Sequence, residues 1–156
     1  MSDFFHDGNT ERLWFVAASW LGTPFMFNGK VKQSGVSCQH LPIEIYRECG
    51  MEIDFTPLAG TGGAADQEKE NRMSEFIEKT GRFARVENDG DASWSYLRPG
   101  DLLTFRVVAG EYHLGLYTHP RFAIFLHTIR PYGVSYSNLY DPTYGERFLT
   151  AWRPQA

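Results

Sequence analysis

The apolar residues of this chain change period along its length, and that change restricts the fold more than any other feature. From Thr10 to Leu21 they fall at Leu13, Val16, Ala17, Trp20 and Leu21, one stripe of an α-helix, with Gly22 placed to stop it. A second helix is expected from about Ser37, a good N-cap type, through Cys38, Leu41, Pro42, Ile45, Tyr46 and Cys49 to Gly50. Pro42 is tolerable only near the first turn, which it is expected to distort. A third helix, capped by Asp66 and stopped by Gly81, carries Met73, Phe76 and Ile77 on its apolar side. The second half reads instead as short apolar runs bounded by Gly, Pro or Asp: Asp101–Val108, Glu111–Thr118, Arg121–Ile129, Gly133–Ser137 and Arg147–Arg153. Helices followed by strands imply an α+β domain with an antiparallel sheet. Residues 22–37 and 51–65 read as loops, and the glycines at 60–63 mark either a plain surface loop or a lid beside a cleft.

A chain of 156 residues is expected to form one domain, 1–156, with one substantial core. Its 42% hydrophobic and 22% charged residues describe a globular chain rather than a disordered one. The formal charge of −4 argues against a nucleic-acid partner. No apolar run approaches the ~18 residues of a membrane span. The start, MSDFFHDGNTERLWF, lacks the basic and apolar regions of a secretory signal, so synthesis in the cytoplasm is expected. Two cysteines are too few for a disulfide framework in a domain of this size.

Cys38 lies where an irregular loop gives way to a helix. A helix N-terminus carries partial positive charge and unpaired N–H groups, which favour the thiolate and can hold an oxyanion. A small buried hydrophobe is the alternative, as free cysteines often are. Zinc binding by Cys38, His40 and Cys49 is disfavoured, because helical positions 38 and 49 stand roughly 16 Å apart at about 1.5 Å per residue. The same separation opposes a Cys38–Cys49 disulfide. Cys49 reads as core.

Of the five histidines, His113 has the setting of a base. In EYHLGLY, alternation puts His113, Gly115 and Tyr117 on one face, and Tyr112, Leu114 and Leu116 on a core face. The glycine leaves room for a helix end to approach the imidazole; a satisfied structural histidine is the other reading. His127, in FAIFLHTI, would lie beside His113 if the two strands form a hairpin, and could then hold its tautomer. His6 sits near a terminus, His119 in a turn expected to be exposed, and His40 within the turn of Cys38 itself.

Joined together, these segments resemble the NlpC/P60 family of cell-wall cysteine peptidases. LGTPFMFNG (21–29) is similar to the family's Gly-Thr-Pro-Tyr stretch, and GVSCQHLP (35–42) to its Gly-Val-Asp-Cys-Ser-Gly-Leu-Val block. LRPGDLLTF, HLGLY, FLHT, YGVSYS and YGERFLTAWRP follow in the family's order, so that the resemblance covers most of 11–153. The resemblance implies a papain-like α+β fold, N-terminal helices packed on a C-terminal antiparallel sheet, and hydrolysis of amide bonds in peptidoglycan stem peptides. It assigns attack to Cys38, proton transfer to His113 and the polar third position to His127, with no cofactor or metal. Compactness and the absence of a signal look like phage-tail or prophage members, whose particle proteins would be the partners.

Four neighbouring positions depart from the family pattern and are expected to line the substrate site. Ser37 replaces the usual Asp, Gln39 and His40 add bulk after the cysteine, and Phe25 lacks the loop tyrosine's hydroxyl. Two further readings follow: a non-catalytic binding module with a blocked cleft, or a related thiol enzyme acting on another amide, thioester or ester.

Overall fold

The computed structural model describes residues 2–55, 66–88, 90, 93–106 and 112–156, with the backbone alone for 66–71 and Tyr112. Helix α1 (Thr10–Ser19) is followed by a small hairpin, β1 (Lys30–Val31) and β2 (Gly35–Val36), then by α2 (His40–Glu48) and α3 (Asp66–Lys79). Strands β3 (Phe83–Val86), β4 (Leu102–Arg106), β5 (Tyr112–His119), β6 (Ile124–Ile129) and β7 (Gly133–Asn138) come next. A short helix α4 (Pro142–Gly145) leads into β8 (Phe148–Pro154). Six strands form one antiparallel sheet in the order β3-β8-β4-β5-β6-β7. The architecture is the expected α+β one.

Alternation along the strands gives the sheet two apolar faces. Leu102, Leu114, Leu116, Leu126, Val134 and Trp152 share one cluster with Leu13, Val16 and Ala17 of α1, Leu41, Ile45 and Tyr46 of α2, and Met73 and Ile77 of α3. Leu13, Leu41, Ile45, Leu114 and Leu116 are wholly removed from water. Such burial contributes roughly 2 kcal/mol for each large aliphatic side chain. The opposite face forms a second cluster of Leu103, Phe105, Tyr117, Phe125 and Ala151, covered by Leu97, Leu139, Trp94, Tyr144 and Phe148. The face left open beside His113 in the sequence reading is therefore packed.

Several boundaries differ from expectation for local reasons. Helix α1 stops at Ser19, so its stripe ends at Trp20 and Leu21 is 44% exposed. The 22–37 segment contains the β1–β2 hairpin, whose two-residue strands are too short to show a period. Strand β6 begins only at Ile124, because Phe122 and Ala123 have φ of 66° and 49°. Strand β3 was not anticipated: it is an edge strand in which Phe83 and Val86 are half-buried and Ala84 is exposed. Helix α4 starts on a side-chain cap, Asp141 Oδ1 accepting from Thr143 N at 2.9 Å, with proline following the cap. The glycines at 60–63 and the far end of the expected Asp101–Val108 strand lie outside the described residues.

The Pro-Gly-Asp corner before β4 is built on a buried ion pair. Arg153 donates from Nε to Asp101 Oδ1 and from Nη2 to Oδ2, both at 2.9 Å, while Arg98 N donates to Oδ2 at 2.8 Å. Burial raises the Asp101 carboxyl above its ordinary pKa, and the Arg153 fork and Arg98 N–H work against that rise. Removing one partner of such a pair leaves the other charge uncompensated. Asp101→Asn is expected to lower folding stability by about 3 kcal/mol. Urea unfolding of the variant checks this, and an unchanged midpoint would dismiss the pair as an anchor.

Candidate active site

Cys38 occupies a helical turn that precedes the regular part of α2. Leu41 N donates to Ser37 O at 3.0 Å, the first bond of the helical ladder. The next bond cannot form, since Pro42 has no N–H to offer Cys38 O. Regular helix consequently begins at His40, and the thiol sits in the turn before it. Ser37 caps that turn as expected: its Oγ accepts from His40 N at 3.1 Å and lies 2.9 Å from His40 Nδ1. The Ser37 hydroxyl thus contacts both the backbone N–H and the ring of His40, while Ser37 N donates to Gly29 O at 2.9 Å.

His40 is 8% exposed, and its ring is turned onto Ser37. Burial lowers its pKa, with Glu44 raising it and Lys30 lowering it. Gln39 is half-buried. Phe25, also half-buried, bridges to Val36 and lies 4.9 Å beneath the Arg130 guanidinium. The spacing Ser-x-x-His was the signal that could have revealed the cap.

Two attachments set where the Cys38 turn lies relative to the sheet. At the C-terminal end of α2, Tyr46 Oη donates to Gly100 O at 2.8 Å, and Gly100 N donates to Tyr117 O of β5 at 2.8 Å. At the other end, Val36 N donates to Pro24 O at 3.0 Å, and Val134 N of β7 donates to Thr23 O at 2.9 Å. Gly133 permits that approach: a Cβ there would stand 2.5 Å from Thr23 O. Gly133 pairs with Ile129, and the Leu116–Leu126 register of β5 and β6 brings His113 level with Ile129. From Tyr46 to Cys38 the chain covers about 12 Å, and from Tyr117 to His113 about 13 Å. Cys38 and His113 therefore belong to the same end of the helix–sheet layer.

The two histidines meet directly. His113 Nε2 lies 2.7 Å from His127 Nδ1, and His127 Nε2 lies 2.8 Å from Ser137 Oγ on β7. The expected hairpin is present, with β5 and β6 antiparallel neighbours. Phe105 packs beside His113, while Phe125 and Tyr144 pack against His127. Gly115 stands between the imidazoles in the alternation; a Cβ there would lie 2.9 Å from Phe125 Cδ2 and 3.2 Å from Phe105 Cε2. Ser137 and Tyr144 were missed as neighbours of the site. The sequence carried no signal for Tyr144, and for Ser137 only its place in a strand pairing with that of His127.

A model of the NlpC/P60 family matches residues 22–153. The chain belongs to the NlpC/P60 family. Its fold is also similar to that of a protein described as similar to lipoprotein, NLP/P60 family, from Staphylococcus aureus subsp. aureus Mu50. That likeness has a TM-score of 0.60 at 20% identity and covers 97% of this chain but 43% of the other. At such identity it is a likeness of fold. This chain thus spans less than half the length of that relative. No curated protein matches the chain.

Burial sets the electrostatics of Cys49 and of the paired histidines in this NlpC/P60 domain. Burial pushes Cys49 up to about 11, an inert thiol at the C-terminal end of α2 beside the helix-side core. Burial, and secondarily His127, lowers His113 to about 3, and burial lowers His127 to about 4. Both rings are therefore neutral near pH 7. His119, expected to be exposed, is half-buried and stacked on Trp14 at 5.0 Å between centroids. Among the described residues no helix is long and apolar enough to cross a membrane, and no His/Cys/Asp/Glu group is arranged to hold a metal.

The histidine shifts predict an acid-sensitive fold. Between about pH 6.5 and 3 the unfolded chain binds protons that the folded pair refuses, so stability falls as pH drops through that window. Urea midpoints from pH 7 to 3 should decline, and His127→Gln should decline less. Imidazole NMR resonances of His113 and His127 should show no titration near pH 6.5; a midpoint there would contradict the buried neutral pair.

Proposed function

We propose that this protein is a cysteine hydrolase that cleaves amide bonds in peptidoglycan stem peptides, with Cys38 as nucleophile and His113 as base. The supporting observation is the buried imidazole pair, joined at 2.7 Å, at the end of the sheet to which the Cys38 turn is tied. Family membership supports the cell-wall substrate.

In this reading His113 Nδ1 takes the proton of Cys38 Sγ as the sulfur attacks the scissile carbonyl carbon. The carbonyl π electrons move to oxygen, and the positive end of the α2 turn stabilises the resulting oxyanion. Collapse breaks the C–N bond, and His113 gives its proton to the departing amine. Water, deprotonated by the same imidazole, then displaces sulfur from the acyl-enzyme, releasing the acid and restoring the thiol. His127 orients the His113 ring throughout. Ser37 holds the nucleophile's turn, while Gln39 and Phe25 flank it on the substrate side.

Purified protein incubated with stem peptides of differing third residue, followed by mass spectrometry, tests the substrate. Cys38→Ala should abolish cleavage while leaving the unfolding midpoint unchanged. Iodoacetamide at pH 7 should label Cys38 well ahead of Cys49, whose thiol stays protonated, and His113→Ala should slow that labelling. Fast labelling with no peptide cut would move the chemistry to another amide, thioester or ester. Equally slow labelling of both thiols would favour a non-catalytic binding module.

A further inference from the structure

Both ring nitrogens of His127 are engaged, Nδ1 with His113 Nε2 at 2.7 Å and Nε2 with Ser137 Oγ at 2.8 Å. Each neutral ring carries one proton, so two arrangements keep both contacts hydrogen-bonded. In the first, His113 Nε2–H donates to His127 Nδ1, and His127 Nε2–H donates to Ser137 Oγ. His113 Nδ1 then keeps its lone pair. In the second, Ser137 donates to His127 Nε2, and His127 Nδ1–H donates to His113 Nε2. His113 must then carry its proton on Nδ1 and has no lone pair to offer a thiol.

A hydroxyl can serve either arrangement, but its loss does not affect them equally. Without it the first strands a buried N–H and the second a buried lone pair, and the orphaned donor costs more. His127 is wholly buried and Ser137 half-buried, so a side chain that fills the hydroxyl's place is needed to keep water from replacing the lost partner. The reaction itself makes a second demand. Once His113 is an imidazolium, its Nε2–H must donate to His127 Nδ1, which requires the His127 proton on Nε2 and Ser137 as acceptor.

From these contacts we infer that Ser137 is a positioning residue: by accepting the Nε2–H of His127 it keeps a lone pair on His113 Nδ1 for the Cys38 proton. The inference rests on the proposed roles of Cys38 and His113. Threonine and valine at 137 have nearly the same shape and differ in the hydroxyl, so the pair isolates the hydrogen bond from packing.

Two readouts on the full chain test it: imidazole 15N and 13C shifts, which report the tautomer, and the iodoacetamide rate of Cys38 at pH 7. Ser137→Thr should match the parent in both. Ser137→Val should move the His113 proton to Nδ1 and slow Cys38 labelling by roughly tenfold or more, at an unchanged unfolding temperature. A parent-like tautomer and rate in Ser137→Val would overturn the role of Ser137. If that variant does not fold, Ser137→Ala decides by the same spectra: a parent-like tautomer overturns the proposal, and a shifted one supports it. A shifted tautomer in either variant, with His113→Ala leaving Cys38 labelling unchanged, would instead sink the catalytic roles and leave the tautomer control standing.

Discussion

Helix α2 is fastened to the sheet at both ends, and the position of the candidate site follows from that. Tyr46 ties its C-terminal end, through Gly100, to β5, and the segment from Thr23 to Val36 ties its N-terminal turn to β7. Neither attachment involves Cys38, His113 or His127. A helix held at both ends keeps its N-terminal turn in one place relative to the sheet. The buried Asp101–Arg153 pair supports the same arrangement from beneath, since Asp101 O accepts from Tyr117 N at 2.9 Å beside the Gly100 contact.

On the sheet side, the site combines apolar enclosure with polar satisfaction. Phe105, Phe125 and Tyr144 exclude water from the imidazoles, which drives both rings to the neutral form. A neutral buried ring still needs partners for its nitrogens, and the His113–His127–Ser137 series supplies them. Burial and hydrogen bonding therefore act together: one keeps both rings neutral and the other gives their facing nitrogens partners. The Ser37–His40 contact does similar work on the helix side, where proline has removed a ladder bond.

Much of this was legible in the sequence. The three long helices, the strand blocks after Gly100 and the adjacency of the two histidine strands all follow from local period and from turn residues. Elements without a period were not legible: the β1–β2 hairpin is two residues a side, and β3 lies at an edge with little burial. The direction of the His40 ring was not legible either, because its sequence neighbours say nothing about which way it turns; the Ser37 contact supplies that.

The sequence by itself determined the α+β order, the helix-end placement of Cys38, and the face of β5 that carries His113. Those depend on residues within one element, where backbone geometry dictates which side chains share a side. Tertiary structure alone decided that the His113 face is packed rather than open, that Ser137 completes the histidine series, and that the Cys38 turn and His113 share one end of the layer. Those depend on which distant surfaces cover one another, and a local period reports that a face is apolar without naming what will lie against it.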